Sequence, residues 1–184
     1  MTSHRVLLPL ALAGMLSSAP LSALAEDVRI PLRGVQEVPS VSTGAEGLFR
    51  ARIAPDGGQI AYELKYRDLE GDVLQSHIHF GQRHVNGGVS VFLCQTEAAP
   101  DPTGLAPMCP ASGRVQGLLR AANVIGPEAQ GLSPGEMAEL VAAIRAGAAY
   151  VNVHSTTFPG GEIRGQSHRH HRHHGARHGP RTDD

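Results

Sequence analysis

Three histidines occupy positions where strand geometry would let them act together. Ser76-His77-Ile78-His79-Phe80 is a strand pattern, and residues i and i+2 of a strand share a face, so His77 and His79 lie opposite Ile78. Tyr150-Val151-Asn152-Val153-His154 alternates in the same way. With Val151 and Val153 in the core, Tyr150, Asn152 and His154 turn outward. If the two strands are neighbours, three imidazoles converge on one outer face. Neutral imidazole nitrogens suit copper and zinc, and the general affinity order favours copper over zinc at equal geometry. His84, in the loop Gly81-Gln82-Arg83-His84, stands as a further candidate ligand that could fold back toward the strand. The competing reading is structural: sheet histidines that hydrogen-bond and hold loops.

The other reactive residue types point away from catalysis. No serine, histidine and acid fall at a recognisable spacing, and the chain has neither a nucleophile elbow nor a phosphate loop. The two cysteines, Cys94 and Cys109, enclose a segment containing Pro100, Pro102, Gly104 and Pro107. In an oxidising compartment such a pair forms a disulfide that stabilises the fold by about 3 kcal/mol in the chain-entropy model. A soft-metal site built from Cys94, Cys109 and Met108 is the alternative, and its spacing matches no metal motif.

The elements that must position these residues are short strands. Phe49, Ala51 and Ile53 alternate with Leu48, Arg50 and Arg52; Pro55-Asp56-Gly57-Gly58 marks a turn; Ile60, Tyr62, Leu64 and Tyr66 resume the alternation. This is a hairpin with one buried face. Further strands are expected at 28–33, 73–80, 88–94, 114–120, 150–155 and 162–166. The pattern predicts an all-β antiparallel sandwich or barrel. One short helix interrupts it at about 134–146. Ser133-Pro134-Gly135-Glu136 offers a capping box, Met137, Leu140, Val141 and Ile144 follow at helical spacing, and Gly147 ends it. This helix is expected to cover an edge or end of the sheet.

Both ends of the chain read differently from the domain over 26–166. Residues 1–25 have the layout of a secretory signal: His4 and Arg5, an apolar run from Val6 to Met15, and Ala23-Leu24-Ala25, with cleavage expected after Ala25. The expected location is therefore periplasmic or secreted. No second apolar run reaches the length of a membrane helix. Residues 167–184 read SHRHHRHHGARHGPRTDD, a segment with too little apolar surface to offset the entropy of ordering. Its histidines, His168, His170, His171, His173, His174 and His178, would bind Cu(II), Ni(II) or Zn(II) loosely and release it below about pH 6.5. The formal charge of −1 gives no reason to expect nucleic acid as a partner, and the absence of tryptophan weakens any stacking role.

Several segments together resemble the CHRD domain, the module named from chordin. They are Gly34-Val35-Gln36-Glu37-Val38-Pro39, His77-Ile78-His79-Phe80-Gly81 with Val85-Asn86-Gly87-Gly88-Val89, and Tyr150-Val151-Asn152-Val153-His154 with Phe158-Pro159-Gly160-Gly161-Glu162-Ile163-Arg164-Gly165-Gln166. The resemblance spans nearly all of 28–166, in the family's order. It implies a β-sandwich of immunoglobulin-like or superoxide-dismutase-like character and says little about activity. His77, His79 and His154 fall on family motif positions; His84 does not. Glu37, Glu162 and Arg164 are expected to form an ion pair at a sheet edge, and Asn152 to orient His154 or a loop carbonyl, supporting any bound metal from behind. Two functions follow as expectations: an exported copper- or zinc-binding protein for storage, delivery or tolerance, or a non-catalytic structural module that binds a protein partner through its sheet face.

Overall fold

The computed structural model describes residues 24–168. The leader expected over 1–25, apart from its last two residues, and the tail histidines beyond His168 lie outside the described residues. Eight strands form one antiparallel sheet: β1 (Glu26–Arg33), β2 (Glu46–Ile53), β3 (Ile60–Arg67), β4 (Val73–Phe80), β5 (Gly88–Cys94), β6 (Gly113–Leu119), β7 (Ala149–Ser155) and β8 (Ile163–Gln166). Their order across the sheet is β5-β4-β7-β8-β1-β2-β3-β6. The sheet curls into a nearly closed barrel, which brings its two end strands toward each other. Tyr62 Oη donates to Leu93 O at 2.5 Å, and Ile125 N, beyond β6, donates to Ser90 O on β5 at 2.9 Å. The expected all-β architecture is present, and the strand bounds follow the sequence pattern to within a residue or two.

Local chemistry explains the pieces. In the β2–β3 hairpin, Asp56 Oδ1 accepts from Gly58 N at 2.9 Å and Gly57 takes a φ of +71°, a left-handed conformation suited to glycine. Ile53, Ile60 and Leu64 are fully buried, while Arg50, Arg52 and Lys65 on the other face are exposed. The helix, α1 (Met137–Ala146), starts later than the sequence suggested, because Gly135 has a φ of +85°. Only the return half of the capping box forms, with Ser133 N donating to the Glu136 carboxylate at 2.7 Å. Gly147, at φ +74°, ends the helix as expected. Met137, Leu140, Val141 and Ile144 are buried and join the core, so the helix covers one end of the barrel, with Arg145 tied to Glu26 at 2.8 Å.

Cys94 and Cys109 are bonded to each other, and no described cysteine is free, so the soft-metal alternative does not apply. Among the described residues, no helix is long and apolar enough to cross a membrane.

Candidate metal centre

The register of three neighbouring strands assembles the site. His77 lies opposite Asn152 and His79 opposite Tyr150 between β4 and β7; Asn152 lies opposite Arg164 and Tyr150 opposite Gln166 between β7 and β8. Directly opposed residues share a face, so His77, His79, Tyr150, Asn152, His154, Arg164 and Gln166 all project from one side of the sheet. Ile78, Val151, Val153 and Ile163 project from the other, into the apolar core.

The expectation that this face points outward is corrected. His77 is 2 % exposed, His79 7 %, Asn152 2 % and His154 6 %, and every residue of β7 is buried. The reason is coverage by distant loops. Gly87 and Pro159 place backbone carbonyls against the histidines, Asn86 Nδ2 donates to Val38 O at 2.8 Å, and Glu37 and Gly161 pack beside Asn152. Alternation in a strand distinguishes apolar from polar faces; it does not distinguish water from a polar interior.

Within this enclosure the ring nitrogens have defined roles. His79 Nδ1 donates to Gly87 O at 3.0 Å, and His154 Nδ1 donates to Pro159 O at 2.9 Å. Those carbonyls can only accept, so each ring carries its proton on Nδ1 and an open lone pair on Nε2. His77 Nδ1 lies 3.1 Å from His154 Nε2, and His77 Nε2 is buried without a hydrogen-bond partner. One ligand atom from each of the three residues fits within 4.8 Å of the others, a group that could hold a metal ion. Among these rings the Phe92 side chain stands edge-on to His77, with centroids 4.3 Å apart, closing that flank with apolar surface.

Burial also fixes the charge state. Desolvation, helped by His154 and His79, lowers the His77 pKa to about 2; desolvation takes His79 to about 4 against the opposing pull of its bond to Gly87; burial lowers His154 as well. The rings are therefore neutral near pH 7, which is the form that ligates metal. Arg164 contributes to this. Its guanidinium lies 3.4 Å over the Tyr150 ring, whose other neighbour is the His79 ring, stacked at 4.6 Å with an interplanar angle of 4°.

The remaining expected residues have separate placements. Arg164 and Glu162 do not make the edge ion pair that the sequence suggested. Arg164 donates to Val85 O at 2.9 Å and Asn86 Oδ1 at 3.2 Å, holding the loop over the site. Glu162 sits just before β8, and its carboxylate accepts from Thr43 Oγ1 at 2.8 Å and Glu70 N at 2.9 Å. Glu37 is buried beside Asn152; desolvation raises its pKa to about 7, with Arg164 and hydrogen bonds from Val38 and Asn152 pulling the other way. His84 is exposed in its loop at φ +66° and is not one of the three grouped histidines. Sequence reading gave Asn152 a supporting role and missed its central position: its Oδ1 lies 3.0 Å from both His79 Nε2 and His154 Nε2. The available signal was parity, since Asn152 shares the strand face of His154.

Compared with known families, residues 28–167 match the CHRD domain. No curated protein and no solved structure matches the chain.

Proposed function

The chain belongs to the CHRD domain family, and from that premise we propose that it is an exported metal-binding protein whose ordered site uses His77, His79 and His154. Copper is the favoured ion and zinc the alternative, because three neutral imidazoles accept both and copper binds such donors more tightly. The observation that carries this reading is a shortage of protons. His79 Nε2 and His154 Nε2 present lone pairs toward one space, with the Asn152 carbonyl oxygen between them. The ring protons of His79 and His154 are committed to Gly87 O and Pro159 O, and the single proton of neutral His77 can serve at most one of the acceptors that remain. A buried set of converging acceptors is unfavourable unless a cation completes it. A purely structural histidine cluster would instead pair each lone pair with a donor.

Storage, delivery or tolerance all suit a buried site of this kind. The histidines beyond Gln166 would collect metal loosely near the domain and raise its local concentration, after a leader ending near Ala25 directs the chain out of the cytoplasm.

A Cu(II) titration of the chain carrying H168A, H170A, H171A, H173A, H174A and H178A tests the ordered site alone. Stoichiometric binding is expected, and His77→Ala should abolish it while the fold melts cooperatively. Absence of Cu(II) and Zn(II) binding in the parent protein would overturn the proposal and leave the structural-module reading.

A further inference from the structure

The three imidazoles share a further donor beside them. Resting on the metal reading above, we infer that Asn152 is itself a ligand, so that the centre is a closed four-coordinate site made of His77 Nδ1, His79 Nε2, His154 Nε2 and Asn152 Oδ1. Four donors around an ion with bonds near 2.0–2.1 Å lie about 2.9–3.4 Å from their neighbours, depending on geometry. Three successive pairs already have that spacing: His77 Nδ1 to His154 Nε2 at 3.1 Å, His154 Nε2 to Asn152 Oδ1 at 3.0 Å, and Asn152 Oδ1 to His79 Nε2 at 3.0 Å. The two remaining histidine pairs, His77 with His79 and His79 with His154, also bring ring nitrogens within 4.8 Å.

Two neighbours explain why the amide presents oxygen and not nitrogen to the imidazoles. The buried Glu37 carboxylate oxygen and the Asn152 amide nitrogen both lie against Gly161, which places the NH2 group beside an acceptor and on the side away from the rings. Gly161, at φ +125°, packs against both Glu37 Oε1 and Asn152 Nδ2, so no side chain separates the two groups. With its amide nitrogen held there, Asn152 can offer the rings only lone pairs. An oxygen in contact with two other lone-pair donors is poorly placed for a hydrogen-bond network and well placed for a shared cation.

A closed site has a functional meaning. Catalytic metal centres keep a position open for water or substrate, whereas four buried protein donors leave none. The centre would hold its metal and present no water for activation.

Water-proton relaxation of the Cu(II)-loaded chain, with the six tail histidines replaced as above, reads the difference. The parent protein should show no enhancement from metal-bound water. Asn152→Asp, which keeps an oxygen donor, should behave like the parent. Asn152→Ala should lose affinity by about tenfold or more and gain a relaxation enhancement as water enters the vacated position. If the parent binds Cu(II) and already carries an exchangeable water, or if Asn152→Ala binds as tightly with none, Asn152 is not a ligand and the three-histidine reading survives. If the parent binds no Cu(II), both readings fall together. Should Asn152→Ala not fold, the parent and Asn152→Asp measurements decide alone.

Discussion

Acid should loosen this domain through its histidines. An imidazole in the unfolded chain titrates near 6.5, while burial holds His79 at about 4 and His77 at about 2. Between those values and 6.5 the unfolded chain binds protons that the folded chain refuses. The stability due to neutral His77 and His79 is therefore complete above about pH 6.5 and lost progressively as pH falls toward those values, and His154, lowered by burial, acts in the same direction. Glu37 has the opposite sign: raised to about 7 from 4.5, it contributes stability at the acid end that disappears as pH rises through 7. Thermal melts of the metal-free protein between pH 8 and pH 4 should show a falling midpoint on the acid side. In Glu37→Gln the fall should be steeper, because the opposing group is gone. A midpoint independent of pH would mean that the rings take up protons while folded.

At the scale of elements, the site depends on loops that reach over a strand face, and these are sensitive to added bulk. Gly161→Ala places a methyl against Glu37 and Asn152 at a φ of +125°, where side chains are strained. The expected cost exceeds about 1 kcal/mol, read from denaturant unfolding, and metal affinity should fall with it. An unchanged midpoint would show that the Glu37 and Gly161 segments do not press on Asn152. The strands behind this site were legible in the sequence because Phe49, Ala51 and Ile53, or Val151 and Val153, alternate so regularly. The shared face of His77, His79 and His154 was legible for the same reason. The cover was not. Glu37, Gly87 and Pro159 come from segments far apart in the chain, and nothing in the alternation of Tyr150, Asn152 and His154 shows that other loops replace water above them. The helix start was misplaced through a single residue, since Pro134 favours a helical beginning while Gly135 turns the backbone out of it.

Across the whole molecule, the Cys94–Cys109 bond lies beside the seam where the barrel nearly closes. The enclosed segment is held within itself by Asp101, whose carboxylate accepts from Thr103, Leu105 and Ala106, and by Gln95, which bonds to Asp101 N, Ala106 O and Pro107 O. Replacing both cysteines by serine (C94S with C109S) should cost about 3 kcal/mol, measured by equilibrium unfolding in oxidising and reducing buffer. Equal stability of the variant and the oxidised parent would show that the seam holds without the bond. A different consequence follows from the pairing of β1 with β8 through Arg33 and Arg164. The first strand made is a neighbour of the last, so the sheet cannot be finished until residue 166 is available. Contacts this distant in sequence make folding slow. Until β8 arrives, one edge of β1 and one edge of β7 lack the partner they have in the finished sheet, and such open edges are where another chain could pair.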